Sequence, residues 1–192
     1  MFPRGVLRGT SHLLLYVFII SQQAALVSGD QSLIQNTDVI SAEAKTNVYK
    51  SSNDTTVVEI STANAHGLSH NKFLDYNVTS KGVVLNNTVA SGITHASKLA
   101  GSISANQYSN KQADVILNEV ITANRSELRG YTEVVGKNAE VIIANPNGIT
   151  CDGCGFINTD NVSLTTGNPI IDGTGKLNGF EVREDANKPP TM

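Results

Sequence analysis

The chain's two cysteines, Cys151 and Cys154, form one Cys-x-x-Cys inside Ala144–Asn158, ANPNGITCDGCGFIN. That spacing suits a redox couple, half of a zinc site, or a short disulfide. A structural zinc needs four ligands. The nearest other donors, His66, His70 and His95, are remote in sequence, so no metal is implied. A thioredoxin-like couple opens a helix whose N-terminus lowers a thiol pKa, but Asp152-Gly153 and Gly155 oppose a helix start. A local disulfide across a tight turn is the favoured reading, ahead of catalytic redox, zinc and free thiols. So short a loop would contribute at or below the low end of ~2–4 kcal/mol.

The other chemical candidates are thinner. Ser69 lies beside His70, but catalytic triads meet in space rather than by adjacency. No Gly-x-Ser-x-Gly, phosphate loop or His-Glu-x-x-His occurs. Leu68 and Phe73, flanking that pair, read as packing residues. Asp114, Glu119, Arg125, Glu127 and Arg129 could serve a polysaccharide lyase, yet charged residues more often line a solvated face. Directly before the cysteines stands Asn145-Pro146-Asn147-Gly148-Ile149. Proline at its second position favours a type I or type II turn. No cofactor is implied, and a net charge of −3 gives no basic footprint for nucleic acid.

The elements that position these residues are strands. The 192 residues fit one domain with a real core. The 20 Asn and 16 Gly supply sharp turns, and Val, Ile and Thr between them suit strands. Short apolar runs follow in series: Val57–Ile60, Val83–Leu85, Val115–Leu117, Val134–Val135, Val141–Ala144, Val162–Leu164 and Pro169–Ile171. Each is bounded by turn formers. VVLNN from Val83, VILNE from Val115 and VIIAN from Val141 are alike, and Val162 follows, at unequal intervals that make no strict repeat. This pattern predicts a solenoid with loop insertions, slightly ahead of a β-sandwich. The asparagines are expected to take left-handed corners and to bond the coil above. Segments 97–110 and 123–130 look less strand-like, the second a helical turn or a loop.

The N-terminus reads as a signal peptide over residues 1–29. Arg4 and Arg8 precede the apolar Leu13–Ile20, and Val27 and Gly29 could occupy positions −3 and −1 of a cleavage site. Export would place the cysteines in an oxidising compartment. Residues 30–52 read as an extended leader, and 184–192 as a disordered tail.

From His66 to Glu184 the chain resembles the N-terminal secretion domain of two-partner secretion exoproteins: filamentous haemagglutinins, haemolysins and contact-dependent inhibition proteins. The likeness rests on Gly67–Val78, Gly82–Asn87, Ala113–Val120, Ala144–Asn158 and Gly179–Arg183, in family order. It implies a right-handed parallel β-helix over residues 53–183, with an N-terminal cap and an extra-helical hairpin. It implies recognition in the periplasm by an outer-membrane β-barrel transporter, passage unfolded, and folding outside, with no enzymatic activity. It implies that Asn145–Ile149 is required for secretion, by stabilising the folding nucleus or by touching the transporter. The family's second motif, Asn-Pro-Asn-Leu, is degenerate here: Asn106 is kept, while Gln107 and Tyr108 replace the proline and second asparagine. The family domain carries further coils, so the chain reads as truncated, a remnant or a fragment. The alternative function is an adhesin or haemolysin fragment that binds host cells.

Overall fold

The computed structural model describes residues 39–182, and every regular element among them is a strand. The signal-peptide reading and the C-terminal tail fall outside the described residues. Two short strands begin the fold, β1 (Ile40–Ser41) and β2 (Asn47–Lys50). The first coil follows, with β3 (Thr56–Glu59) and β4 (Leu68–Asp75). β1 pairs antiparallel with β4, and β2 pairs antiparallel with β3. They cover backbone edges that the first coil would otherwise expose. The leader reading is therefore corrected from Val39 onward: polar sequence there masks strands that act as a cap.

The second coil opens with β5 (Val83–Asn87) and throws out a hairpin, β6 (Thr94–Ser97) and β7 (Gly101–Ser104). It continues through β8 (Val115–Val120) and β9 (Ser126–Leu128). The third coil is β10 (Tyr131–Gly136), β11 (Ala139–Ala144) and β12 (Ile149–Cys151). β13 (Gly155–Ile157) and β14 (Thr159–Thr165) start a fourth. A second hairpin closes the described chain, β15 (Asn168–Ile171) and β16 (Leu177–Glu181).

Three faces result. One is β4–β8–β11–β14, all parallel; a second is β3–β5–β10–β13, also parallel. The third is narrow, β9 beside β12 with a bridge from Val78 to Leu128. Each strand of these faces bonds in parallel to strands one coil away, which defines a parallel β-helix.

The repeat reading held for three runs and failed for one. Ile116, Val141 and Val162 stack in register along the first face. Val83 does not join them. Its strand stacks on β3 and β10 of the second face, with Leu85 between Val58 and Val134. A β-branched run ending in asparagine occurs on two faces of one coil, so similarity alone cannot assign the face. Segments 97–110 and 123–130 also carry strands, β7 and β9, and no helical turn.

Alternation of side chains divides the apolar residues into layers. Val58, Phe73, Tyr76, Leu85, Ile116, Val120, Val134, Val141 and Ile143 fill the coil interior. Each fully buried side chain of this kind contributes roughly 1.5–3 kcal/mol. Phe73 and Tyr76 meet edge to face, with centroids 5.1 Å apart. Burial raises the Tyr76 hydroxyl pKa far above its ordinary value. Outside the coils, the β6–β7 hairpin packs Ala100, Ile103 and Leu99 onto Val57, Val84 and Val135. On the first face, Ile171, Leu177 and Phe180 of the β15–β16 hairpin cover Leu68, Leu117 and Ile142. Two external hairpins therefore stand where one was expected. Phe73 packs the interior as predicted, but Leu68 points outward beneath a hairpin.

Candidate functional site: an asparagine-stitched corner

Asn145–Ile149 forms the corner between β11 and β12, where the chain leaves the first face for the third. The β-branched run of β11 ends at Ala144, and Pro146 cannot continue a ladder that needs its N–H. The turn closes with the Gly148 N–H donating to the Asn145 carbonyl at 3.0 Å. Asn147 keeps a negative φ, which excludes type II and leaves type I of the two expected turns. Gly148 sits at φ +111°, and a Cβ there would meet the Arg125 guanidinium at 2.9 Å. Only glycine suits that position.

Asn145 is 0% exposed. Its Nδ2 donates to the Asn124 carbonyl and to Ser126 Oγ, both at 2.9 Å, and its Oδ1 accepts from the Asn147 N–H at 3.0 Å. Its own N–H donates to the Thr165 carbonyl of the next coil. One side chain thus holds its own turn and the preceding coil. Asn147 is exposed, yet its Nδ2 reaches the Thr122 carbonyl at 2.6 Å. The Ser126 N–H returns a bond to the Gly148 carbonyl. The corner below is stitched in turn: Thr122 Oγ1 donates to Leu74 O, and Asn124 Nδ2 to Asp75 Oδ1.

Asn106 repeats this chemistry at another corner. It is wholly buried, and its Nδ2 donates to the carbonyls of Ile60 and Asn86 at 2.8 and 2.9 Å. The Tyr108 N–H donates to its Oδ1 at 2.8 Å, the counterpart of Asn147 N–H on Asn145. Loss of the proline and second asparagine leaves this local turn intact. Gln107 Nε2 donates to the Ala105 carbonyl, and Tyr108 projects into solvent.

Further asparagines bind coils together. Asn87 Nδ2 donates to the carbonyls of Ala113 and Lys137. Asn158 Nδ2 donates to the Val134 carbonyl at 2.7 Å. Among the described asparagines only Asn158 takes positive φ, at 57°. The left-handed corners expected for the others are absent because buried amides, and not backbone reversal, hold those corners. Most of these bonds also run back to the preceding coil.

Cys151 and Cys154 are joined in a disulfide at the β12–β13 turn, with Cα atoms 5.3 Å apart. Cys154 packs against the coil interior. The lyase-like charges do not gather. Asp114 pairs with Lys137, Glu119 with His70 at 2.6 Å, and Glu127 with Arg129 at 2.6 Å. His66 Nε2 lies 3.2 Å from Thr174 Oγ1. No group of three or more metal-ligating side chains occurs among the described residues. Sequence reasoning missed Glu133. It is buried, and its carboxylate accepts from Ser97 Oγ and from the N–H groups of Lys98 and Leu99 at 2.7–2.9 Å. That tethers the β6–β7 hairpin. A glutamate amid the apolar β10 was the available signal.

Comparison with known proteins matches the family described as TPS secretion domain over residues 30–190. A 16S rRNA endonuclease CdiA of Enterobacter cloacae is 50% identical over 149 residues, 77% of this chain and 4% of that one. A hemolysin of Proteus mirabilis is 48% identical over 134 residues, 69% of this chain and 8% of that one. The crystal structure of a filamentous hemagglutinin secretion domain matches with a TM-score of 0.66 and 39% identity, covering 72% of this chain and 45% of that one. The chain spans less than a tenth of the length of these curated relatives.

Proposed function

Because this chain belongs to the TPS secretion domain family, we propose that it is the element an outer-membrane β-barrel transporter recognises through its periplasmic domains, and that Asn145–Ile149 serves export by closing the third coil. The secretion-domain role places the chain among exoproteins exported to the cell surface or medium. The signal peptide over residues 1–29 would bring it to the periplasm. Nuclease activity in the names of the CdiA relatives belongs to those much longer proteins; the residues here carry a secretion domain.

The observation that supports a structural role for the motif is the burial of Asn145. A side chain with no exposed surface, bonded to Asn124 and Ser126, has no face left for a partner in the folded state. Its removal acts through the corner. The chain crosses unfolded in this reading, and a coil that closes outside resists return. The disulfide braces the turn after the motif, and Asn106 does the same work at the β7–β8 corner of the second coil. The expected test is co-expression with the cognate barrel. Wild-type chain reaches the medium, whereas Asn145→Ala and Asn106→Ala reduce release and leave protease-sensitive protein. Retention of the wild-type chain with its barrel present defeats the secretion reading. Cell binding by purified protein, without barrel dependence, favours an adhesin.

A further inference from the structure

We infer that Asn147–Gly148 is a self-modifying site whose reaction is switched off by closure of the third coil. An asparagine followed by glycine is the pair most open to intramolecular cyclisation, since glycine offers no side chain to hinder its backbone nitrogen. In this reaction the Gly148 nitrogen attacks Asn147 Cγ. A nitrogen–carbon bond forms, the Cγ–Nδ2 bond breaks, the Gly148 amide proton is lost and ammonia leaves. The resulting five-membered succinimide is opened by water to aspartate or isoaspartate. No oxidant, reductant or enzyme takes part.

The fold holds both reacting groups away from that path. The nucleophile is engaged, because the Gly148 N–H donates to the Asn145 carbonyl at 3.0 Å. The electrophile is turned aside, because Asn147 Nδ2 donates to the Thr122 carbonyl at 2.6 Å. Asn147 is nevertheless exposed, so water reaches it and burial does not protect it. Protection comes from two hydrogen bonds, and both vanish when the corner opens.

The product is also incompatible with the corner. Aspartate would set a carboxylate oxygen against the Thr122 carbonyl with no proton between them. Isoaspartate adds a main-chain atom inside the turn that links Asn145 to Gly148 and Ser126. The site therefore times how long the chain stays unfolded, and modified chain closes its third coil poorly. The link to export rests on the secretion reading; the protection does not.

The test uses purified protein with its disulfide intact, held at neutral pH in buffer and in guanidinium chloride. Peptide mapping reads the gain of about one dalton at residue 147. Asn178–Gly179, the other Asn-Gly pair, reports reactivity in denaturant. The expected result is modification at 147 at least about tenfold slower in buffer than in denaturant. Equal rates, or an inert Asn147 in denaturant where Asn178 reacts, overturn the proposal. Modified chain, separated by charge, should unfold at lower denaturant than unmodified chain; an unchanged midpoint overturns the product's effect on the corner. Either failure leaves the secretion reading standing, which falls only if unmodified chain is retained beside its transporter.

Discussion

Replacing Asn145 by alanine separates a corner that acts through folding from one that acts through contact. The change removes three side-chain hydrogen bonds, to Asn124 O, to Ser126 Oγ and from the Asn147 N–H. Each contributes about 0.5–1.5 kcal/mol net. Ser126 is buried, so its hydroxyl loses a partner where water is scarce, at about 1–3 kcal/mol. These contributions overlap, and a total of about 2–4 kcal/mol is expected. For a chain this size that is a fall in Tm of roughly 5–15 °C. Asn147→Ala removes one exposed bond and should cost about 0.5–1 kcal/mol. Asn145→Ala with Ser126→Ala should cost less than the sum of the single changes, because the orphaned hydroxyl goes too. Denaturant unfolding followed by circular dichroism measures all five proteins, wild type and Ser126→Ala included, and secretion beside the cognate barrel is scored in parallel. If export fails in proportion to lost stability, the corner acts through folding. The reasoning is refuted if Asn145→Ala unfolds within about 0.5 kcal/mol of wild type yet abolishes export.

Asn106→Ala should match Asn145→Ala in stability loss, since it too is buried and holds two carbonyls; a loss under about 0.5 kcal/mol by the same unfolding assay would place it outside the stitching. Glu133→Ala should cost about 2–4 kcal/mol and speed tryptic cleavage after the already exposed Lys98, because three bonds fasten the β6–β7 turn to that carboxylate; an unchanged cleavage rate would show the hairpin held by its apolar contacts alone. Reducing Cys151–Cys154 should cost no more than about 2 kcal/mol, as its loop is among the shortest a disulfide can close. Burial raises the Glu59 carboxyl above its ordinary 4.5, so the folded state holds that proton more tightly than the unfolded chain. Its contribution is full below 4.5 and is lost as pH rises through the raised folded value. Glu59→Gln should flatten this decline in a pH series of unfolding midpoints; a wild-type slope in the variant would assign it elsewhere.

Particular residues show how much of this could be read in advance. The runs from Val115, Val141 and Val162 pointed to stacked coils, though on spacing alone a β-sandwich stood close behind. The resemblance supplied the β-helix and the secretion role, and both stand. The Cys-x-x-Cys gave up its metal and redox readings to a ligand count and a glycine-rich turn. Val83 was read as one of a series of successive coils, but its run lies on a second face of the coil that also holds Val115, since a period of two distinguishes inside from outside but not one face of a coil from another. The capping strands β1 and β2 were illegible because an edge strand needs only backbone partners, which any polar sequence provides. Asn106 looked like a degraded motif because proline and the second asparagine were missing, yet one buried amide sufficed.

The sequence by itself determined the class of element, the turn at Asn145–Gly148 and the family. Local propensity and spacing act within a few residues, and these features need nothing longer. Only the tertiary structure decided what the asparagines do. Asn145 reaches back to Asn124 and Ser126, and Asn106 to Ile60 and Asn86. A buried amide must find carbonyl partners, and which carbonyls come within 3 Å is set by coil register, a property of the stacked chain.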